Sequence, residues 1–209
     1  MELFQPLLTT MGELKKEFDT IPLERKTTLE KLARFIENKI RRREKAELNF
    51  ICTHNSRRSH IAQLWTQAAA AYYGVEGIVC YSGGTEATAF NPRAVTAMVA
   101  AGFRIRKATE ASNPMYEVGF ANDVAPVFSF SKKYDAEGNP KRGFAAVMTC
   151  SQADHNCPLV LGTLERFSIP FDDPKDFDDT PLETEKYCDR VRQIGREMLY
   201  MVSKVKRTV

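Results

Sequence analysis

Two hydrophobic patterns alternate along most of the chain. Short apolar runs at 48–51, 78–81 and 143–148 are typical of strands. Between them, apolar residues recur at every third or fourth position, which predicts helices with one buried face. Strands that alternate with helices through short connections favour a parallel sheet with helices on both faces, so the predicted fold class is α/β.

The helical stripes fall before, between and after these strands. Two precede the first strand, one follows it directly, one begins at Asn91-Pro92 and ends at Ala101-Gly102, and the last spans 182–205. Their apolar positions include Leu7, Met11, Leu14 and Phe18; Leu29, Leu32, Ala33, Ile36 and Ile40; Ile61, Leu64, Trp65, Ala68 and Tyr72; and Tyr187, Val191, Ile194, Met198 and Val202. Cys80 and Cys188 accompany such positions and are expected to be packing residues.

The chain divides into a helical N-terminal extension, residues 1–46, and a main domain, residues 47–209, with an insert at about 111–143. Strand-like residues at 127–131 and 143–148 flank turn-forming residues at 135–140. We predict a β-hairpin whose second arm leads to Cys150. A separate tight turn is expected at 82–84, after the strand at 78–81. The sequence does not decide whether the extension caps the domain, contacts a second subunit or shapes a site entrance.

The composition is that of an ordinary soluble globular protein. Of 209 residues, 43% are hydrophobic and 27% are charged, and the net charge is +3, so no nucleic-acid or membrane partner is expected. No apolar run approaches a membrane span and no signal-peptide pattern is present, so we expect a cytoplasmic protein. Five cysteines without framework spacing favour free thiols with catalytic or redox roles.

The strongest candidate chemistry lies between the strand at 48–51 and the helix that follows it. Cys52 ends the strand, and a loop without apolar residues leads to Arg58 and Ser59. Backbone N–H groups that converge at a helix N-terminus favour a tetrahedral oxyanion and a thiolate at Cys52, while Arg58 is suited to clamp the anion and Ser59 to hydrogen-bond the sulfur. The expected substrate-binding residues are Thr53, His54, Asn55, Ser56, Arg57, Arg58 and Ser59. The alternative, a buried core thiol at the strand end, explains neither Arg58 nor Ser59.

Two further cysteines, Cys150 and Cys157, lie seven residues apart beside a predicted strand end. If this segment is helical, their Cα atoms are about 10 Å apart at about 1.5 Å per residue, whereas a disulfide needs about 4.4–6.8 Å. A bridge between them would therefore require the segment to unwind. The alternative is a pair of thiols without a redox role.

The loop after Cys52 resembles the phosphate-binding loop of the low-molecular-weight protein tyrosine phosphatase superfamily, which includes the thioredoxin-coupled arsenate reductases. The likeness covers roughly 47–110 and 144–206, and its clearest segments are 61–65, 81–84, 91–95, 150–158 and 171–174. It implies a four-stranded, mainly parallel sheet flanked by helices, and it makes 47–209 a catalytic domain. The extension and the insert lie outside it.

The resemblance also implies a mechanism. In the arsenate reductases the residue that matches Cys52 attacks arsenate, and the residue that matches Cys150 attacks the adduct so that arsenite leaves. The residue that matches Cys157 then forms a disulfide with Cys150, which thioredoxin or a similar dithiol reduces. Asp173, directly before Pro174, matches the general acid of the superfamily, while Asp172 is expected to serve structure or solvation.

These residues, together with the resemblance, imply three candidate functions. The preferred one is thioredoxin-coupled arsenate reduction through Cys52, Cys150 and Cys157. The second is a phosphomonoesterase, with phosphotyrosine among its candidate substrates, that uses a Cys52 phosphoenzyme and Asp173 as the acid. The third is a non-catalytic anion sensor.

Several departures from the family pattern bear on this choice. His54 stands where relatives usually have glycine, although histidine tolerates a left-handed backbone better than most residues, and Arg57 replaces a residue that is often cysteine. Lys175 follows Pro174 where phosphatases place aromatic residues, which weakens the phosphotyrosine hypothesis. Gln63 and Ala111 stand where related reductases hold a cation with carboxylates, so neither a metal nor a cofactor is expected.

Overall fold

The computed structural model describes residues 1–156 and 159–206. Its helices are α1 Gln5–Lys16, α2 Leu23–Arg41, α3 Arg58–Tyr73, α4 Pro92–Ala100, α5 Ser151–Asn156 and α6 Glu183–Ser203, with short 3₁₀ turns at Phe18–Thr20 and Pro174–Phe177. Its strands are β1 Ala46–Cys52, β2 Ile78–Gly84, β3 Arg104–Lys107, β4 Tyr116–Gly119, β5 Val127–Ser129, β6 Phe144–Met148 and β7 Thr163–Ser168. Within these ranges, no helix has the length and apolar character needed to span a bilayer.

The central sheet confirms the predicted α/β fold. Four strands lie in the order β2-β1-β6-β7, and each neighbouring pair is parallel. The register sets Cys52 opposite Gly84 and Ile51 opposite Met148. The carboxyl ends of three strands therefore meet at one edge, where parallel α/β sheets bind their ligands.

Helix α6 is the element against which most other helices pack. It contacts α1, α2, α3 and α4. Trp65 of α3 is fully buried and meets Phe103 edge-on, with ring centroids 5.2 Å apart. A Cβ on Gly195 of α6 would lie 2.6 Å from the Trp65 indole, so the close approach of α3 and α6 requires glycine at this position.

Both helices predicted in the N-terminal extension are present, and they belong to the same hydrophobic core as the sheet. Their fully buried side chains include Leu7, Met11, Leu14, Leu29, Leu32 and Ile36. Full burial of one such side chain stabilises a fold by about 1.5–3 kcal/mol. The extension is therefore packed as an integral part of the folded chain.

The insert contains a β-hairpin, as predicted, but the strands pair differently. Val127–Ser129 pairs with Tyr116–Gly119, and the second sheet, of order β3-β4-β5, is antiparallel. Phe144–Met148, expected as the second arm of the hairpin, lies instead in the central sheet between β1 and β7. All its side chains are buried, which suits a strand covered on both faces of a parallel sheet.

The prediction of a tight turn at 82–84 is wrong, because strand β2 continues through Gly84. Gly83 pairs with Ile51 and Gly84 with Cys52. The two glycines serve close backbone approach rather than a turn: a Cβ on Gly83 would lie 2.2 Å from the Cα of Tyr134.

Candidate active site

The loop between β1 and α3, residues 53–57, is called the anion loop because its geometry is suited to bind an anion. Cys52 is the last residue of β1, and α3 begins at Arg58. Asn55 has a left-handed backbone, with φ of 44°, a conformation that asparagine adopts more readily than most residues. The residue with the left-handed backbone is therefore Asn55 and not His54, which stands where relatives usually have glycine.

The carbonyl groups of the loop are turned toward the surrounding protein. The acceptors and their donors are Cys52 O with Thr85 N at 3.1 Å, Thr53 O with Glu86 N at 2.8 Å, His54 O with Ser131 Oγ at 2.9 Å, and Ser56 O with Asn91 N at 2.9 Å. By contrast, within the described part of the chain no N–H group of residues 53–57 donates a backbone hydrogen bond. These N–H groups therefore have no backbone acceptor, which is the arrangement found in backbone anion sites.

Neighbouring segments hold this loop in place. Lys132 N, in the insert, donates to Asn55 Oδ1 at 2.8 Å. Gly84 lies so close that an added Cβ would be 2.6 Å from Asn55 N and 2.6 Å from Thr53 O. Sequence reasoning identified the Gly83-Gly84 segment but not the contact from the insert, because Lys132 and Asn55 are far apart in the chain.

The Ser59 hydroxyl lies within hydrogen-bond distance of the Cys52 sulfur. The Ser59 Oγ lies 3.1 Å from Cys52 Sγ and accepts a hydrogen bond from Asn55 Nδ2 at 2.9 Å. The Ser59 oxygen accepts from the Asn55 side-chain amide, so the Ser59 hydroxyl hydrogen remains available to donate to the Cys52 sulfur. Both side chains are buried, so this hydrogen bond is shielded from water.

Arg58 is held at the rim of the loop and keeps a free donor. Its Nη1 donates to Phe171 O at 2.9 Å, and its Nη2 donates to Asp173 Oδ2 at 2.5 Å. Among the described residues, its buried Nε has no hydrogen-bond partner. A buried guanidinium with an unsatisfied N–H is suited to bind an oxyanion, which would complete its hydrogen bonding.

The two neighbouring aspartates lie in different environments. Asp173 caps the Pro174–Phe177 turn by accepting from Lys175 N at 3.2 Å, and it contacts Arg58. Asp172 is 93% exposed and pairs with Arg190 of α6 at 3.2 Å. Asp173 is therefore the carboxylate that adjoins the anion loop.

The Arg57 side chain takes part in a polar network that sequence reasoning missed. Its Nε donates to the Tyr187 hydroxyl at 2.8 Å, and the Tyr187 hydroxyl donates to Asp178 Oδ1 at 2.7 Å. Burial, aided by Asp178, raises the pKa of Tyr187 to about 12. Tyr187 was predicted only as an apolar helix position, because a helical stripe does not reveal where a hydroxyl at its edge will point.

Cys150 lies at the carboxyl edge of the sheet next to the loop. It is fully buried, its Sγ is 3.5 Å from Thr53 Oγ1, and Ala153 N at the start of α5 donates to it at 3.3 Å. Cys52 and Cys150 belong to the same small apolar cluster. Cys157, the other predicted relay thiol, lies outside the described residues.

The positions considered for a cation are occupied by neutral side chains. Gln63 is buried and donates to Cys80 O at 3.4 Å, whereas Ala111 is exposed. In the described ranges, no group of three or more His, Cys, Asp or Glu side chains is arranged to hold a metal ion.

Comparison with known proteins agrees with this geometry. Residues 47–122 match the family model described as low molecular weight phosphotyrosine protein phosphatase. Arsenate reductase 2 of Staphylococcus haemolyticus is 34% identical over 131 residues, which cover 63% of this chain and 80% of the relative. The arsenate reductase of Bacillus subtilis is 31% identical over 164 residues, covering 78% of this chain and 94% of the relative.

Solved structures share the fold at low sequence identity. A YwlE mutant from Bacillus subtilis aligns with a TM-score of 0.53 and 14% identity, covering 78% of this chain and 100% of that one. A low molecular weight protein tyrosine phosphatase from T. tengcongensis aligns with a TM-score of 0.52 and 15% identity, covering 77% and 99%.

The chain belongs to the low-molecular-weight protein tyrosine phosphatase superfamily, which includes the arsenate reductases. Together with the loop that Cys52 begins, this membership defines a cysteine-dependent oxyanion enzyme. The hypothesis of a non-catalytic sensor is correspondingly not favoured.

Proposed function

We propose that this enzyme is an arsenate reductase that uses Cys52, Cys150 and Cys157 as a thiol relay and a dithiol protein of the thioredoxin type as its reductant. The observation that carries the proposal is the position of Cys150, whose sulfur lies 3.5 Å from the hydroxyl of Thr53 in the anion loop. A phosphatase does not need a buried thiol at this place. The names of the relatives from Staphylococcus haemolyticus and Bacillus subtilis support the same activity.

The relay balances without any further reactant. The Cys52 thiolate attacks arsenic(V), and an oxygen leaves as water after Asp173 supplies a proton. The Cys150 thiolate then attacks Cys52 Sγ, so that a disulfide forms, two electrons pass to arsenic, and arsenite leaves. Finally the Cys157 thiolate attacks Cys150 Sγ and frees Cys52, and the dithiol reductant reduces the Cys150–Cys157 disulfide.

A phosphomonoesterase is the second candidate. It is favoured by the pair of Arg58 and Asp173, 2.5 Å apart, which would bind a phosphoryl group and protonate an ester oxygen without Cys150. The two functions share the first attack by Cys52 and differ in whether the other thiols matter.

One comparison of activities distinguishes them. The purified protein should reduce arsenate with thioredoxin and thioredoxin reductase, measured as NADPH oxidation, faster than it hydrolyses para-nitrophenyl phosphate. Omission of thioredoxin is the control and should stop arsenate reduction. Hydrolysis of the ester without any arsenate-dependent NADPH oxidation would reject the reductase and favour the phosphatase.

The anion site makes a separate prediction that does not depend on which function is correct. Iodoacetamide at pH 6.5 should alkylate Cys52 first, and phosphate or arsenate should protect it, because the thiolate and the anion share the same amides. Cys80 and Cys188 are internal controls: burial raises the pKa of both thiols, and it does so most at Cys80. Mass spectrometry of the digested protein gives the order of labelling. Equal labelling of Cys52 and Cys188, or no protection by either anion, would contradict the anion site.

A further inference from the structure

Arg25, in helix α2 of the N-terminal extension, reaches the segment that leads to Asp173. Its Nη2 donates a hydrogen bond to Pro170 O, and its guanidinium carbon lies 5.1 Å from the centroid of the Phe171 ring. It lies outside residues 47–122, which match the family model. The extension therefore contacts the acid-bearing segment directly.

The same segment is also held by Arg58, the first residue of α3. Arg58 Nη1 donates to Phe171 O at 2.9 Å, and Phe171 N donates to Thr149 O at 3.1 Å. The successive carbonyl groups of Pro170 and Phe171 thus each accept from a guanidinium group, one from the extension and one from the start of α3. Asp173 follows two residues later, so the position of this backbone sets the position of its carboxylate.

Arg25 is itself held by a carboxylate in the core. Its Nε lies 3.3 Å from Glu197 Oε2 of α6, and Glu197 is 2% exposed. Gln193 Nε2 donates to the other carboxylate oxygen at 3.2 Å. A buried carboxylate needs a cationic partner, and a planar guanidinium suits an ion pair, a carbonyl and an aromatic ring at once.

We propose that Arg25 is a positioning residue that holds 170–171 so that the Asp173 carboxylate stays against Arg58, which makes the N-terminal extension part of the catalytic apparatus. The proposal rests on the proposed role of Asp173 as the general acid. A displacement of about 1 Å at a catalytic group can lower a rate by about 10²-fold, so a contact at this distance from the chemistry is able to affect turnover.

The test uses two phosphate esters that depend differently on the acid. Arg25→Met keeps much of the apolar stem and removes the charge and the donors. We expect kcat/KM for phenyl phosphate, whose leaving group needs a proton, to fall about 10-fold or more, and kcat/KM for para-nitrophenyl phosphate to fall much less. In an Asp173→Asn background, Arg25→Met should cause no further loss, because the acid is already absent.

Arg192→Gln is the matched control. Arg192 of α6 pairs with Glu13 at 3.0 Å and with Glu17 at 2.7 Å. Arg192→Gln therefore removes other ion pairs between the extension and α6, at a residue that does not contact 170–173. It should leave the ratio of the two kcat/KM values unchanged. Because Arg25→Met removes the ion pair with the buried Glu197, Arg25→Met/Glu197→Gln is measured as well, and urea unfolding confirms that each variant is folded.

Equal losses for the two esters, or additive losses in the Asp173→Asn background, would overturn the proposal. Amide hydrogen exchange provides a measurement that does not require activity. The Phe171 amide should exchange faster in both Arg25 variants and not in Arg192→Gln, and unchanged exchange would also reject the proposal. If the wild-type protein hydrolyses neither ester, the proposed role of Asp173 in hydrolysis fails, and the exchange result alone decides whether Arg25 holds the segment.

Discussion

Cys150→Ser is expected to abolish arsenate reduction and to leave phosphate-ester hydrolysis close to the wild-type rate. The substitution removes the thiol that would attack the Cys52 adduct, so nothing displaces arsenite. It leaves Cys52, Arg58 and Asp173 unchanged, and serine is small enough for the buried space that Cys150 fills. Thioredoxin-coupled NADPH oxidation with arsenate, measured beside hydrolysis of para-nitrophenyl phosphate, gives both rates for one protein preparation.

Cys157→Ser is the companion variant, and it should fail one step later. A single turnover should release arsenite and stop at a Cys52–Cys150 disulfide, which mass spectrometry of the non-reduced digest detects. Cys188→Ser is the control, because Cys188 lies on α6 and packs against the main core. Wild-type arsenate reduction by both Cys150→Ser and Cys157→Ser would remove the relay and leave the phosphatase as the better proposal.

Asp173→Asn is expected to lower kcat/KM for phenyl phosphate by about 10²–10⁴-fold, the usual contribution of a general acid. Asparagine has nearly the same shape and is able to keep the cap on Lys175 N, but it has no proton to donate and loses the charge that faces Arg58, so the difference between the two esters isolates the contribution of the proton. The fall in kcat/KM should be smaller for para-nitrophenyl phosphate, because para-nitrophenolate is a better leaving group and depends less on protonation. Steady-state kinetics with both esters measure this difference.

Asp172→Asn is the matched control for this prediction. Asp172 is exposed, and a surface ion pair such as the one it forms with Arg190 contributes about 0–1 kcal/mol to the stability of a fold. Both esters should be hydrolysed at nearly the wild-type rate. A larger loss at Asp172 than at Asp173 would mean that the other carboxylate is the acid.

The sequence by itself determined the local parts of this enzyme. The apolar run that ends at Cys52, the polar loop and the helical stripe after Ser59 are contiguous, and hydrophobic periodicity fixes such segments with little help from the rest of the chain. Cys52, Arg58 and Ser59 lie at the two ends of this one loop, so their proximity was predictable from the sequence. The helices of the extension and the α/β class were predictable for the same reason.

Only the tertiary structure decided which distant segments meet. An apolar strand such as Phe144–Met148 is suited equally to a hairpin or to the centre of a parallel sheet, and the burial of both its faces selected the sheet. Arg57 meets Tyr187, and Arg25 meets Phe171, across more than a hundred residues of chain. Such contacts leave no periodic signal, because they depend on how folded elements pack and not on what their neighbours in the sequence are.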